Sequence, residues 1–282
     1  MRARHSICLY DFARNGYSLI YRTIKAYLSS GYSVSYLADV HENTIKARME
    51  KMGIKVSPYI DQGAFRVFNG GSLYRSQDMM TTTTGNEPLE DILCSLLTGI
   101  VKNAGGHKGI VGMIMPELLL PPYTVNKTNH HENILLYERV INKKVSNHNI
   151  NRQFAEVICF YNSSSINSFP LGYIILALNE HRYTIHKDWI HREWYPQKII
   201  NIIKNSMDEN LGNGASDLIL KTLKLIYKVN ENEIVSYPHT FEEDLNKLLG
   251  MQQSKKILDS IRSHIIQEII FSSEESTATN TR

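Results

Sequence analysis

The chain lacks the phosphate-binding loops that most nucleotide-binding α/β proteins carry. Neither GxxxxGK[ST] nor GxGxxG occurs in its 282 residues, and both motifs work by presenting successive backbone amides to phosphate. The turn after the first predicted strand, residues 11–16 (DFARNG), has a single glycine and a bulky Phe12, a poor composition for such a cradle. We therefore expect no ATP hydrolysis of the usual kind.

The common motifs of covalent and metal-dependent catalysis are also missing. There is no GxSxG, no HExxH and no CxxC, and the three cysteines, Cys8, Cys94 and Cys159, are scattered along the chain. We expect reduced, buried thiols, no bound metal and no cofactor. An enzyme in which Glu117 and a histidine act as acid and base stays open as an alternative.

Long apolar runs and a strong net charge are absent as well. No stretch approaches the ~20 apolar residues that a membrane-spanning helix needs, and the first apolar run is too short for the core of a signal peptide. A formal net charge of +3 is too small to indicate nucleic-acid binding by itself. The sequence predicts a cytoplasmic protein without a membrane partner.

What is present is an alternation of apolar strands and amphipathic helices. The first half begins with strands at Ser6–Tyr10, Ser33–Ala38 and Ala64–Phe68, separated by helices at Asn15–Ser29 and Glu42–Met52. This βαβαβ order predicts an α/β fold with a mostly parallel sheet flanked by helices. It continues with predicted helices at Asn86–Val101, His131–Val145 and Leu171–Leu178, and strands at Gly109–Met115, Val157–Tyr161 and Arg182–His186.

The last third of the chain is helical. We predict helices at Pro196–Met207, Ser216–Tyr227, Thr240–Leu249 and Gln252–Phe271, with a Thr240/Glu243 capping box at the start of the third. Ile257, Ile261, Ile265 and Ile269 recur every four residues in the last helix, a stripe that packs on its own domain or on a second copy. The predicted domains are 1–195 (α/β), 196–271 (helical) and 272–282 (a disordered tail).

Polar side chains at the predicted strand ends are the best candidates for a binding site, because α/β sheets bind ligands at the carboxyl edge of their strands. Such residues act as an acid and base, or hold a ligand by hydrogen bonds in an apolar pocket. The candidates at strand ends are His5, Asp11, Asp39, Glu117, Tyr161 and His181, and Tyr10 is a further ligand-binding candidate.

Several short motifs, in order, resemble the MEDS domain, the sensory domain of methanogen regulators and of the dichloromethane-responsive repressor of methylotrophs. The resemblance covers roughly residues 4–194, and the chain looks archaeal in this respect. The motifs are His5-Ser6-Ile7-Cys8-Leu9-Tyr10, Tyr36-Leu37-Ala38-Asp39, Glu117, Leu136-Tyr137-Glu138, Ile158-Cys159-Phe160-Tyr161-Asn162 and Leu178-Asn179-Glu180-His181.

The resemblance implies a fold similar to that of RecA and KaiC and the sensing of small, hydrocarbon-derived molecules. By position it points to His5, Glu117, Glu138 and His181 as ligand-binding residues. The C-terminal helices lack a basic recognition face, so we expect no direct DNA binding.

The favoured hypothesis is a non-enzymatic sensor that binds a small molecule and signals through its helical tail, to a partner protein or as a homodimer. The alternative is a degenerate ATPase-like subunit, similar to RecA and KaiC, that acts by binding another protein.

Overall fold

The computed structural model describes residues 4–10, 17–38, 40–69, 108–115, 130–146, 154–167, 169–185, 191–194 and 196–271. The chain divides into two compact units, Met1–Asn162 and Ser163–Arg282. The boundary expected after residue 195 falls inside the second unit. Two predicted segments, the helix at Asn86–Val101 and the tail at 272–282, lie outside the described residues.

The first unit is an α/β structure, as the sequence predicts. Its strands lie side by side in the order β3-β2-β4-β5-β1, and all the pairings among them are parallel. The elements are β1 (Arg4–Tyr10), α1 (Ser18–Ser29), β2 (Ser33–Ala38), α2 (Glu42–Lys51), α3 (Ser57–Asp61), β3 (Phe65–Asn69), β4 (Ile110–Ile114), α4 (His130–Ser146) and β5 (Phe154–Asn162).

Strands β1, β2 and β4 are buried almost throughout because both faces of the sheet are covered. Every residue of β2 and β4 is buried, and so is β1 apart from its first residue. A parallel sheet needs helices on both faces to bury such strands. Side-chain bonds, described below, connect β5 to α1 on one face and to α4 on the other.

Strand alternation decides which side chains of β1 and β5 share a face. The two strands are paired in register, with Ile7 opposite Cys159 and Leu9 opposite Tyr161. His5, Ile7 and Leu9 therefore share one face with Val157, Cys159 and Tyr161. Arg4, Ser6, Cys8 and Tyr10 share the other face with Glu156, Ile158 and Phe160.

The second unit is mainly helical in its described residues, and the sequence predicts the first strand of its β6–β7 hairpin. Its strands β6 and β7 pair antiparallel. The elements are α5 (Ser163–Ile166), α6 (Leu171–Glu180), β6 (Tyr183–Ile185), β7 (His191–Glu193), α7 (Pro196–Leu211), α8 (Ala215–Thr222), α9 (Glu231–Ser236), α10 (Pro238–Leu249) and α11 (Met251–Phe271).

Two local predictions in this unit are wrong. The polar run 162–165 (NSSS), which follows the strand predicted at Val157–Tyr161 and by composition predicts a loop, mostly forms the short helix α5. Thr240 does not cap a helix, because α10 already begins at Pro238. The capping box lies instead at Asn230 and Glu233, where it starts the unpredicted helix α9.

Helix α8 continues into one π-helical turn, Leu223–Tyr227. Its apolar stripe, Ile219, Leu220 and Leu223, is buried, and in an α-helix it would continue at Ile226. The wider turn rotates that side chain outwards, so that Ile226 is 65% exposed.

The isoleucine stripe of α11 packs inside its own unit. Ile257, Ile261, Ile265 and Ile269 are all buried, and α11 packs on α7 and α10. Lys198 on α7 forms a 2.6 Å ion pair with Glu268 on α11. Of the two alternatives for this stripe, the structure shows packing on its own domain.

Within the described ranges, no helix has the combined length and apolar character to cross a bilayer.

Candidate functional site

Four buried polar side chains meet on one face of the first unit's sheet. His5 comes from β1, Cys159 and Tyr161 come from β5, and Glu138 comes from α4, which covers that face. His5 is 4% exposed and the other three are 0% exposed. We call these four residues the His5 cluster.

The alternation of β5 explains how the strand contributes two members. Cys159 and Tyr161 are two residues apart and therefore point to the same face, and the register puts Cys159 beside Ile7, the next residue of β1 after His5 on this face. Glu138 reaches them from the buried side of α4, where Ile134 and Ile141 lie one turn away on either side and are also buried.

One carboxylate oxygen of Glu138 is the focus of the cluster. Glu138 Oε2 lies 3.2 Å from His5 Nε2 and 3.4 Å from Cys159 Sγ. His5 Nε2 and Cys159 Sγ are themselves 3.4 Å apart. The other oxygen, Oε1, accepts a hydrogen bond from the Tyr161 hydroxyl.

Burial sets the ionisation of the thiol. Burial raises the pKa of the Cys159 thiol well above its ordinary value, and the negative charge of the adjacent Glu138 carboxylate adds a smaller increase. On the protein alone this thiol is therefore protonated at neutral pH and is a poor nucleophile.

A second buried carboxylate lies on the opposite face of the sheet. Glu156 of β5 is 0% exposed and accepts hydrogen bonds from the Ser6 and Tyr27 hydroxyls, the second at 2.5 Å. Arg4 lies 3.4 Å from it and is 41% exposed. Burial and Glu156 raise the pKa of Cys8 to about 12. This network ties β1 and α1 to β5.

The structure brings together three of the residues that the sequence singled out: His5, Glu138 and Tyr161. They meet on one face of the sheet and not at its carboxyl edge, where the sequence predicted the site. His5 in particular lies near the amino-terminal end of β1. Tyr10 ends β1 and faces the other side. Asp11, Asp39 and Glu117 lie outside the described residues.

His181 belongs to the second unit, where it follows α6 and is 1% exposed. Its Nδ1 lies 2.6 Å from the Ala177 carbonyl oxygen. Because a carbonyl only accepts, this nitrogen carries the proton, and in the neutral ring the lone pair is on Nε2.

Sequence reasoning missed Cys159 as a member of the cluster, because it was interpreted as an inert buried thiol. The signal that could have found it is its spacing of two from Tyr161 within a predicted strand, which places both on one face. Glu156 was missed because it lies just before the strand predicted at Val157–Tyr161.

A cleft of about 340 Å³ opens elsewhere on the first unit, beside β3, and is lined by Ile60, Phe65 and Arg66 among others. Of the predicted site residues that the structure describes, none lines this cleft.

The His5 cluster therefore offers an imidazole, a carboxylate, a thiol and a phenol at one buried point. No protein-family model matches this chain, and a search of the curated proteins returns no match.

Proposed function

We propose that this chain is a non-enzymatic sensor, which binds a small hydrocarbon-derived ligand in its α/β unit and signals through its C-terminal helices. The single observation that carries the proposal is the His5 cluster. Four polar side chains from three elements meet there, and their exposed fractions are only 0–4%. Burying such groups is costly unless they bond to one another or to a ligand.

The arrangement favours binding over turnover. Glu138 is fully buried and already contacts His5, Cys159 and Tyr161. A carboxylate engaged in this way is poorly placed to exchange protons with a succession of substrates. A ligand that inserts among these groups changes their mutual contacts instead, which is what a sensor requires.

The surroundings of the cluster suit an apolar ligand. Ile134 and Ile141 flank Glu138 on α4, and Ile7 and Val157 lie on the same strand face as His5. Small-molecule sites typically combine apolar walls with a few polar groups that fix orientation. A hydrocarbon skeleton with one polar substituent fits that combination.

The helical second unit supports a signalling role because it exposes apolar side chains. Leu218, Leu225 and Ile226 are 68%, 61% and 65% exposed and lie on α8 and its π-helical turn. Leu225 and Ile226 lie on the π-helical turn that directly follows the helix carrying Leu218. We propose that a second copy of the chain covers this surface during signalling.

Thermal-shift and calorimetric titration with small apolar organics test the ligand. We expect at least one compound to raise the melting temperature of the wild-type protein. Tyr161→Phe should weaken its binding about 10-fold or more, since a hydrogen bond to a charged group contributes about 1.5–3 kcal/mol. Tyr36→Phe is the matched control, because Tyr36 is an equally buried tyrosine of the same sheet whose hydroxyl donates to the Met115 sulfur and not to Glu138.

Two results would contradict the ligand proposal. One is the absence of any stabilising compound. The other is equal weakening by Tyr161→Phe and Tyr36→Phe, because the effect would then come from the sheet in general and not from the cluster.

Sedimentation tests the signalling surface. We expect Leu225→Lys to lower the mass of the self-associated protein and to leave thermal stability unchanged, because Leu225 is exposed. Ile261→Ala should instead lower the free energy of unfolding by about 2–5 kcal/mol, because it leaves a cavity in the core. If Leu225→Lys leaves the mass unchanged, a second copy of the chain does not bind to this surface.

A further inference from the structure

Three potential metal-ligand atoms in the His5 cluster form a nearly equilateral triangle. Its corners are His5 Nε2, Glu138 Oε2 and Cys159 Sγ, and its sides are 3.2, 3.4 and 3.4 Å. These three are buried, and their ligand atoms lie close enough together to hold one ion.

The triangle matches one face of a tetrahedral zinc site. Zinc binds histidine nitrogen at about 2.0–2.1 Å, carboxylate oxygen at about 2.0–2.2 Å and thiolate sulfur at about 2.3 Å. If an ion lies at these distances from the three atoms, the ligand–ion–ligand angles are about 100–105°, close to the tetrahedral value. The three interatomic distances therefore fit a single bound zinc ion.

The three atoms are mutually close, since His5 Nε2 and Cys159 Sγ, which both contact Glu138 Oε2, are themselves 3.4 Å apart. In the protein alone, hydrogen bonds connect all three atoms. A single ion at the centre interacts with all three atoms at once.

The charges and the donor types favour a divalent transition ion. A thiolate and a carboxylate together neutralise a charge of two, so the loaded site adds no net charge to the core. Thiolate and imidazole select zinc and similar ions over magnesium and calcium, which prefer oxygen ligands.

Tyr161 provides the support that metal-bound carboxylates usually have. Its hydroxyl donates to Glu138 Oε1, the oxygen that faces away from the triangle. Such a bond fixes the orientation of the carboxylate and leaves Oε2 directed at the ion.

We propose that His5, Glu138 and Cys159 bind a divalent transition-metal ion, zinc by preference, with Tyr161 orienting the carboxylate. A water molecule or a further donor completes the tetrahedron. This proposal does not depend on the proposed sensing function, because it rests on the positions of the three ligand atoms alone.

The test is metal analysis and Co²⁺ spectroscopy on the full chain. The protein is stripped with a chelator and titrated with Zn²⁺ or Co²⁺. We expect one ion per chain, and with Co²⁺ the intense visible bands of a tetrahedral site together with a near-ultraviolet band from thiolate coordination. Tyr161→Phe should weaken the affinity for Zn²⁺ about 10–100-fold.

Matched variants on the two faces of the sheet identify the ligands. Cys159→Ser should abolish the thiolate band, and Glu138→Gln should weaken Zn²⁺ binding. Cys8→Ser and Glu156→Gln change the same buried residue types on the opposite face. They should leave the thiolate band and the affinity for Zn²⁺ unchanged. Cys94→Ser, outside the described residues, should also have no effect.

Three results would overturn the proposal. They are a wild-type protein that binds no Co²⁺ after stripping, a Co²⁺ complex without a thiolate band, and a thiolate band that survives in Cys159→Ser. The first two need only the wild type, so they decide the matter even if a variant fails to fold. Circular dichroism of each variant shows whether it is folded.

Discussion

A buried carboxylate lies on each face of the first unit's sheet, and neighbouring side chains account for the burial of each. Glu138 contacts an imidazole, a thiol and a phenol, whereas Glu156 contacts two hydroxyl groups and a half-exposed guanidinium. Removing one partner of a buried charge leaves that charge under-compensated, which costs more than the interaction is worth in the intact protein.

Tyr27→Phe should therefore destabilise the first unit. The variant removes one of the two hydroxyl donors to Glu156, and we expect a loss of about 1.5–3 kcal/mol in the free energy of unfolding, measured by chemical denaturation. Tyr32→Phe is the control, since its hydroxyl has no hydrogen-bond partner among the described residues and its ring packs on Tyr27. Equal losses in the two variants would mean that the bond to Glu156 is unimportant.

The Cys8 thiol should make stability fall in alkali. Its pKa rises from 9.0 to about 12 on folding, because of burial and then the negative charge of Glu156. Above pH 9 the unfolded chain therefore loses a proton that the folded chain keeps, and the free energy of unfolding decreases as pH rises.

Denaturation at pH 8, 9 and 10 in the wild type and in Cys8→Ala measures this effect. Between pH 9 and 10 the wild type should lose up to about 1.4 kcal/mol more stability than the variant, the equivalent of one proton per pH unit. The contribution is fully present below pH 9. Parallel pH profiles in the two proteins would show that Cys8 ionises alike in both states.

At the scale of the element, two stretches of the second unit match the same capping pattern. The pattern is an N-cap residue followed three residues later by Glu. It occurs at Asn230 and Glu233 and again at Thr240 and Glu243. Only the first acts as a capping box, with the Asn230 N–H donating to Glu233 Oε2 at 2.7 Å. Pro238 decides the second case, because proline suits the first turn of a helix and α10 therefore starts before Thr240.

Alanine substitution should separate the two stretches. Asn230→Ala should lower the free energy of unfolding by about 0.5–2 kcal/mol, the usual cost of a lost cap. Thr240→Ala should stay within about 0.5 kcal/mol of the wild type, because Thr240 is exposed inside α10. Thermal or chemical denaturation measures both, and a larger cost for Thr240 would reverse the assignment.

Most element positions were predictable from local patterns, and the exceptions share a cause. The strand at Ser33–Ala38 and the helices near Glu42–Lys51 and His130–Ser146 agree with prediction to within a residue or so, because strong periodicity is a local property. The π-helical turn and the short helices α3 and α5 were missed, because packing and turn geometry outweigh propensity in such short segments.

At the scale of the whole chain, nucleotide binding separates the sensor from the degenerate ATPase-like subunit. We expect millimolar MgATP to leave the melting temperature unchanged, because the sequence has no glycine-rich loop to hold phosphate. A scan with Mg²⁺ alone is the control. A ligand at 100 times its dissociation constant stabilises a protein by about 2.7 kcal/mol, so a clear rise would favour the ATPase-like alternative.

The sequence by itself determined the α/β class of the first unit, the helical character of the last third and the absence of a phosphate loop. These properties depend on apolar periodicity and on contiguous motifs, which one-dimensional patterns carry. His5, Glu138 and Tyr161 were also recognised as candidates, one by one.

Only the tertiary structure decided that these three meet, and that Cys159 joins them. The residues are far apart in the chain, and their meeting depends on the register of β1 against β5 and on the face that α4 covers. A register shifted by one residue would turn Cys159 and Tyr161 to the other face. The order of strands and the direction of side chains are long-range properties, and no local pattern specifies them.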